Sequence, residues 1–535
     1  MNQENPPPAS KPSNIVESAL QTLRSRYVVV GTQRVPLWKA GVLIGLLAGA
    51  ITGFAMVSNK SGEVEQGRAA GESEQWISGT LESWVVDQGD SQGGVAATPG
   101  AAHEGITFLR TAKDTKYELI LPPNTFAPSG SIVKVKAGQI MANTTPFVQV
   151  QKDVAGAIGV QTASDLQILQ LPSLDSVGRQ HTAVILGYYQ NQLPIPFGRP
   201  IAESVLNGVD TWYREVSYGK TWFTGDVSRW YRTTTTAPCF PDPQTFIDAA
   251  DPSIYYPSYQ RILIFVPINL NCGVGGFSSV GKVPVATQDG TVNVSIALMN
   301  AYAMALPNFM AHRGSLHELG HSLGVLHANA FDCGNQMAPS DTYGASCTHV
   351  EYGNPFDIMG VSGGALPPTP AKPHMNAFFK EMFGWFDPYQ VVEVVPPGGT
   401  YTILPLEWAA SAGPPASTTQ AWSLVIPRTY DPTGQFQTWY YLEYRQPIGQ
   451  DKRLANPERT YQGALVSMVL SWGGSQGVYF SRIELLDATP GDGIFTNSAL
   501  IPGEVFQDTF TGITVKPLRA TESGITVEIS GVPYP

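Results

Sequence analysis

Residues 317–327 read His-Glu-Leu-Gly-His-Ser-Leu-Gly-Val-Leu-His, and no other run constrains the fold as tightly. Positions i and i+4 share one face of a helix, so His317 and His321 can aim their imidazoles at one point. Gly324 follows three residues later, where a glycine in the left-handed region ends a helix sharply. The turned chain then brings His327 back to the same point. Three nitrogen donors leave a fourth tetrahedral position open, which is the arrangement of one catalytic Zn2+ rather than of a structural ion. Glu318, adjacent to the first ligand, is the expected general base: zinc acidifies water, and a carboxylate in reach takes the proton and passes it to the leaving group.

Three of the chain's eight His fall in these eleven residues out of 535. The remainder of the composition is permissive. A net charge of -11 and 43% hydrophobic residues suit a folded chain with a large core. The acidic balance argues against a nucleic-acid partner, which needs a basic footprint. Gly and Pro number 54 and 43 and point to many turns between short strands. The four Cys, at 239, 272, 333 and 347, allow three pairings. Short loops favour Cys239–Cys272 and Cys333–Cys347, and the lack of any CxxC pair weighs against a Cys-built zinc site. Such usage agrees with export to an oxidising compartment.

Residues 40–57 run eighteen positions without a charge, the lower edge of a membrane-crossing helix. Five basic against two acidic residues precede Ala40, whereas seven acids accompany only Arg68 between 61 and 100. The positive-inside tendency predicts a single-pass membrane protein with a cytoplasmic N-terminus and an extracytoplasmic catalytic domain. A cleaved signal, giving a secreted protein, and a buried helix are the alternatives. The expected organisation is a disordered leader (1–38), a transmembrane anchor (39–58), a flexible acidic stalk (59–104) and a small β-barrel or sandwich (105–175). An α/β domain (180–388) and a C-terminal β-sandwich (389–535) follow. Within the α/β domain, Val205, Val209, Trp212, Tyr213 and Val216 stand at helical spacing. The fold class expected is thus multidomain α+β with one N-terminal transmembrane helix.

The HExxHxxGxxH pattern is similar to that of the metzincin metallopeptidases, whose second mark is a methionine in a tight turn. Glu351-Tyr352-Gly353-Asn354-Pro355-Phe356-Asp357-Ile358-Met359-Gly360 places Met359 as the candidate, 32 residues beyond His327. This stretch, with EVSYGKTWFTGDVSRW and CGVGGFSSVG upstream and NAFFKEMFGWF and YYLEYRQP downstream, resembles the gametolysin family over residues 180–535. The resemblance implies a zinc endopeptidase with His317, His321 and His327 as ligands, Glu318 as base, and protein or peptide substrates such as matrix or cell-wall glycoproteins. Some metzincins add a Tyr two residues after the Met; Val361 stands there, so no such contact is expected. No Cys precedes Cys239, which excludes a zymogen silenced by a propeptide thiol. Residues 105–175 are either a prodomain covering the cleft or a spacer, and calcium is left open. A surface adhesin or binding protein with a metallopeptidase-like fold is the competing function.

Overall fold

Arg261–Val266 (RILIFV) is buried at every position, as a parallel strand covered on both faces must be. It pairs in parallel with Gly178–Tyr188 on one side and with Gly290–Asn300 on the other. Side chains alternate between two cores. Val184, Leu186, Leu263 and Phe265 meet the helix Arg199–Val216, which buries Val205, Val209, Trp212, Tyr213 and Val216. Ala183, Ile185, Ile262 and Ile264 meet the helix Pro243–Ala250 on the opposite face.

In this computed structural model the described residues are 27–30, 33–36, 76–88, 105–122, 125–136, 140–141, 154–162, 165–192, 198–304, 311–360, 372–408, 417–430, 436–474 and 477–534. The chain divides into two units, residues 1–72 and 73–535. Of the first, Tyr27–Val30 pairs antiparallel with Gln33–Pro36.

The second unit holds three mixed sheets of thirteen, seven and five strands. In the largest, the parallel strands lead through Val274–Ser279, antiparallel to 290–300, to Trp76–Gln88, antiparallel in turn to 274–279. The sheet then continues into Ile106–Thr111 and Lys116–Ile120. Leu81, Leu109, Leu119, Val133, Val135, Ile158 and Ile168 form a separate core beneath these N-terminal strands. The seven-stranded sheet begins with Thr348–Val350 and Ala328–Asp332, and the second of these pairs in parallel with Gly477–Leu486. It faces the five-stranded sheet across a core that includes Leu424, Ile426, Leu442, Val466, Ile525 and Val527. The structure pairs Cys239 with Cys272 and Cys333 with Cys347.

These observations correct the expected fold class. Among the described residues strand exceeds helix, 42% to 19%, and the expected blocks are not separately sheeted. Residues 76–88, read as stalk, are a thirteen-residue strand, and the strand directly after His327 belongs to the C-terminal sheet. The physical reason is that an open sheet edge presents unpaired N–H and C=O groups, and distant segments of the chain satisfy them. The membrane-anchored location is also corrected. Among the described residues no helix is long and apolar enough to cross a membrane, and residues 40–57 lie outside them. The two disulfides are compatible with an extracellular location.

Candidate metal centre

The motif helix spans Ala311–Leu323 and buries Leu316, Leu319 and Leu323 against the parallel strands. Gly324 ends it at φ +118°, its N–H donating to the carbonyls of Gly320 and His321. The next residues carry the chain to His327, and the strand 328–332 begins at once. His317, His321 and His327 converge with Asp87, each offering one donor atom within 4.8 Å of the others. All three imidazoles are buried.

Each ring is oriented through its far nitrogen. His317 Nδ1 lies 2.9 Å from the Ile358 carbonyl, His321 Nδ1 2.8 Å from the Val325 carbonyl, and His327 Nδ1 2.9 Å from Glu351 Oε1. Carbonyls and carboxylates only accept, so every Nδ1 carries the proton and donates it. The Nε2 atoms are left facing inward. His317 and His321 Nε2 are 3.2 Å apart. Nitrogens bound at about 2.0–2.1 Å to one tetrahedral ion stand about 3.3 Å from each other, so the donor set fits a metal ion. Burial, with the other two rings beside it, pushes His321 well below its ordinary pKa. Burial also opposes charge on His327, but Asp87 and Glu351 outweigh it and raise that ring to about 10. A proton and a metal ion therefore compete for the same nitrogen.

Met359 packs directly under the motif helix. A Cβ at Gly320 would meet its Sδ at 2.3 Å. The turn is fixed from below: Asp357 Oδ1 accepts from Met359 N at 2.7 Å, and Asp357 Oδ2 accepts from both the backbone and side-chain nitrogens of Asn376. The Met359 carbonyl accepts from Ala328 N, which ties the turn to the residue after the third histidine. Val361 lies outside the described residues.

Glu318 is buried against the strand 274–279, where a Cβ on Gly276 would approach its Oε1 to 2.1 Å. Ser278 Oγ donates to its Oε2. Burial and the neighbouring Asp87 carboxylate, to which it is hydrogen-bonded, push Glu318 well above the ordinary carboxylate range. Burial works against ionisation of Asp87 too, but His317 and His327 hold its carboxyl well below that range. Of the two, Glu318 is the carboxyl that favours the proton and Asp87 the one that favours the charge.

The sequence reading missed Asp87, Ser278, Glu351 and Tyr352. Asp87 Oδ2 is 3.0 Å from His317 Nε2 and its Oδ1 is 3.0 Å from His327 Nε2. Tyr352 lies tilted against His327 with ring centroids 3.8 Å apart and donates its hydroxyl to Asp87 Oδ1 at 2.9 Å. The available signal for Asp87 was strand-like patterning in WISGTLESWVVDQ, which indicates a strand but not its neighbour. No family model matches the chain, and no curated protein matches it significantly.

Proposed function

We propose that the protein is a zinc-dependent endopeptidase, with His317, His321 and His327 holding the ion and Glu318 acting as general base. The observation that carries this reading is the coincidence of three inward-facing Nε2 atoms with a buried carboxylate one residue from the first ligand. The resemblance of HExxHxxGxxH and the Met359 turn to metzincins of the gametolysin type supports the same reading. When bound, the ion would supply Lewis-acid polarisation of a peptide carbonyl and would acidify water. The protein's own groups supply the rest. Glu318 takes the proton of the attacking water and delivers it to the leaving amine, so that water and a peptide bond become a carboxylate and an amine. Ser278 Oγ holds one oxygen of Glu318, and Gly276 leaves room for the other. Base action requires Glu318 to be ionised, which burial and the neighbouring Asp87 carboxylate oppose.

Replacing Glu318 by Ala is expected to lower hydrolysis of an unstructured protein by at least about a thousandfold while zinc stays near one ion per chain. Retained turnover would remove Glu318 from the role. A second reading, a binding protein with a metallopeptidase-like fold, is favoured by Asp87 standing against the histidines. It requires that no form of the site hydrolyse peptides in a chelator-sensitive way.

A further inference from the structure

We propose that the strand 76–88 is a built-in inhibitory segment, which fills the free edge of the strand 274–279 and lays Asp87 where a reacting water must enter. This inference rests on the hydrolytic reading and names how that site is regulated.

The strand 274–279 has two neighbours among the described residues, 290–300 inside and 76–88 outside. Its outer edge runs past Glu318, and an extended peptide reaching that carboxylate would use the same row of N–H and C=O groups. The register sets Asp87 opposite Gly276 and Val85 opposite Ser278. Those are the two positions of the edge strand that touch Glu318. Asp87 thus reaches the histidines from the substrate side. Three imidazoles and a carboxylate complete a four-coordinate set, which is the closed form of such a site. Tyr352 donates its hydroxyl to the same carboxylate.

The segment is seated by more than its ladder. Val85 is buried with Val280 and Leu326 beside the site, and Trp84 packs on Phe277. Val280 N donates to the Ser83 carbonyl at 2.7 Å. The other end of the same strand belongs to the N-terminal core through Leu81. Residues 171–177, which link that core to the strand 178–188, form no helix or strand and expose Ser173. A cut there would free the inhibitory strand together with a body that has its own core. Leu174, which packs against Gly324, would stay behind.

The test uses the full chain loaded with Co2+, comparing wild type, Asp87→Ala and Asp87→Asn. Acetohydroxamate binding is read from the visible Co2+ spectrum, and hydrolysis is read on an unstructured peptide. Both variants are expected to bind the hydroxamate at least about tenfold more tightly than wild type, because the binding-competent fraction rises. Asp87→Asn keeps the shape of the strand and decides the matter if the Ala variant does not fold. Equal hydroxamate affinity in wild type and Asp87→Asn overturns the inference, whatever the rate of hydrolysis. Tighter binding in the variants without hydrolysis upholds the inhibitory strand and defeats the peptidase reading instead.

Discussion

Glu351 never faces the metal position, yet it decides which nitrogen of His327 is available there. Carboxylates of this kind raise ligand basicity and fix the ring, so Glu351→Gln is expected to weaken metal binding about 10–100-fold. Competition with a chromophoric chelator measures that loss directly, and unchanged affinity would assign Glu351 a packing role only. Gly324 carries a constraint of a different kind. At φ +118° an L side chain is strained, and a Cβ would also meet Leu174 Cδ2 at 2.6 Å. Gly324→Ala is expected to cost about 1–3 kcal/mol, visible as a lower Tm, with metal affinity falling as His327 moves. These residue-scale features differ in how readable they are. The spacing of His317, His321, Gly324 and His327 follows from one helix and one turn, which are local. Of the orienting partners, Val325 is equally local, four residues from His321, whereas Ile358 and Glu351 come from segments packed at longer range, and no spacing rule indicates them.

Elements repeat that contrast. The helix 199–216 was legible because its apolar residues recur every three or four positions and one face must be buried. The strand 76–88 was legible at most as a strand, since alternation fixes which side chains face the core but leaves the partner open. Its contact with His327 spans 240 residues of sequence. The turn 449–453 is another element fixed by distant groups. Asp451 meets Arg445 at 2.6 Å with both side chains fully buried, and accepts from His374 N. Burial alone would raise the Asp451 carboxyl, but Arg445 and His374 outweigh it and hold it at about 2, below its ordinary 3.8. A depressed carboxylate stabilises the fold above the unfolded-state value, and that contribution is lost as pH falls through about 2. Asp451→Asn is therefore expected to cost at least about 3 kcal/mol at neutral pH and to flatten the acid limb between pH 4 and 2. Denaturant titration of both proteins across that range checks the sign; parallel acid limbs would refute the assignment.

At the scale of the molecule, the candidate metal centre and the C-terminal sheets are one piece. Leu316, Leu319 and Met359 share a core with Trp422, Trp439, Tyr441, Val469 and Ile483. The strand after His327 finds its partner at Ile483–Leu486. A chain stopped after residue 388 is expected to aggregate or to bind metal well below one ion per chain, because that strand loses its parallel partner and the motif helix part of its cover. Size-exclusion chromatography with metal analysis of the soluble fraction tests this, and a soluble, metal-loaded monomer would overturn it. The sequence textures suggested blocks because composition changes along the chain, whereas cores form wherever apolar faces meet. The same parallel pairing has a consequence for synthesis. A ribosome releases the N-terminal part first, so the strand bearing Asp87 is in hand long before the motif. The strand that seats His327 waits until residue 486 has emerged. The centre is thus assembled last, and its stopper has been waiting for it.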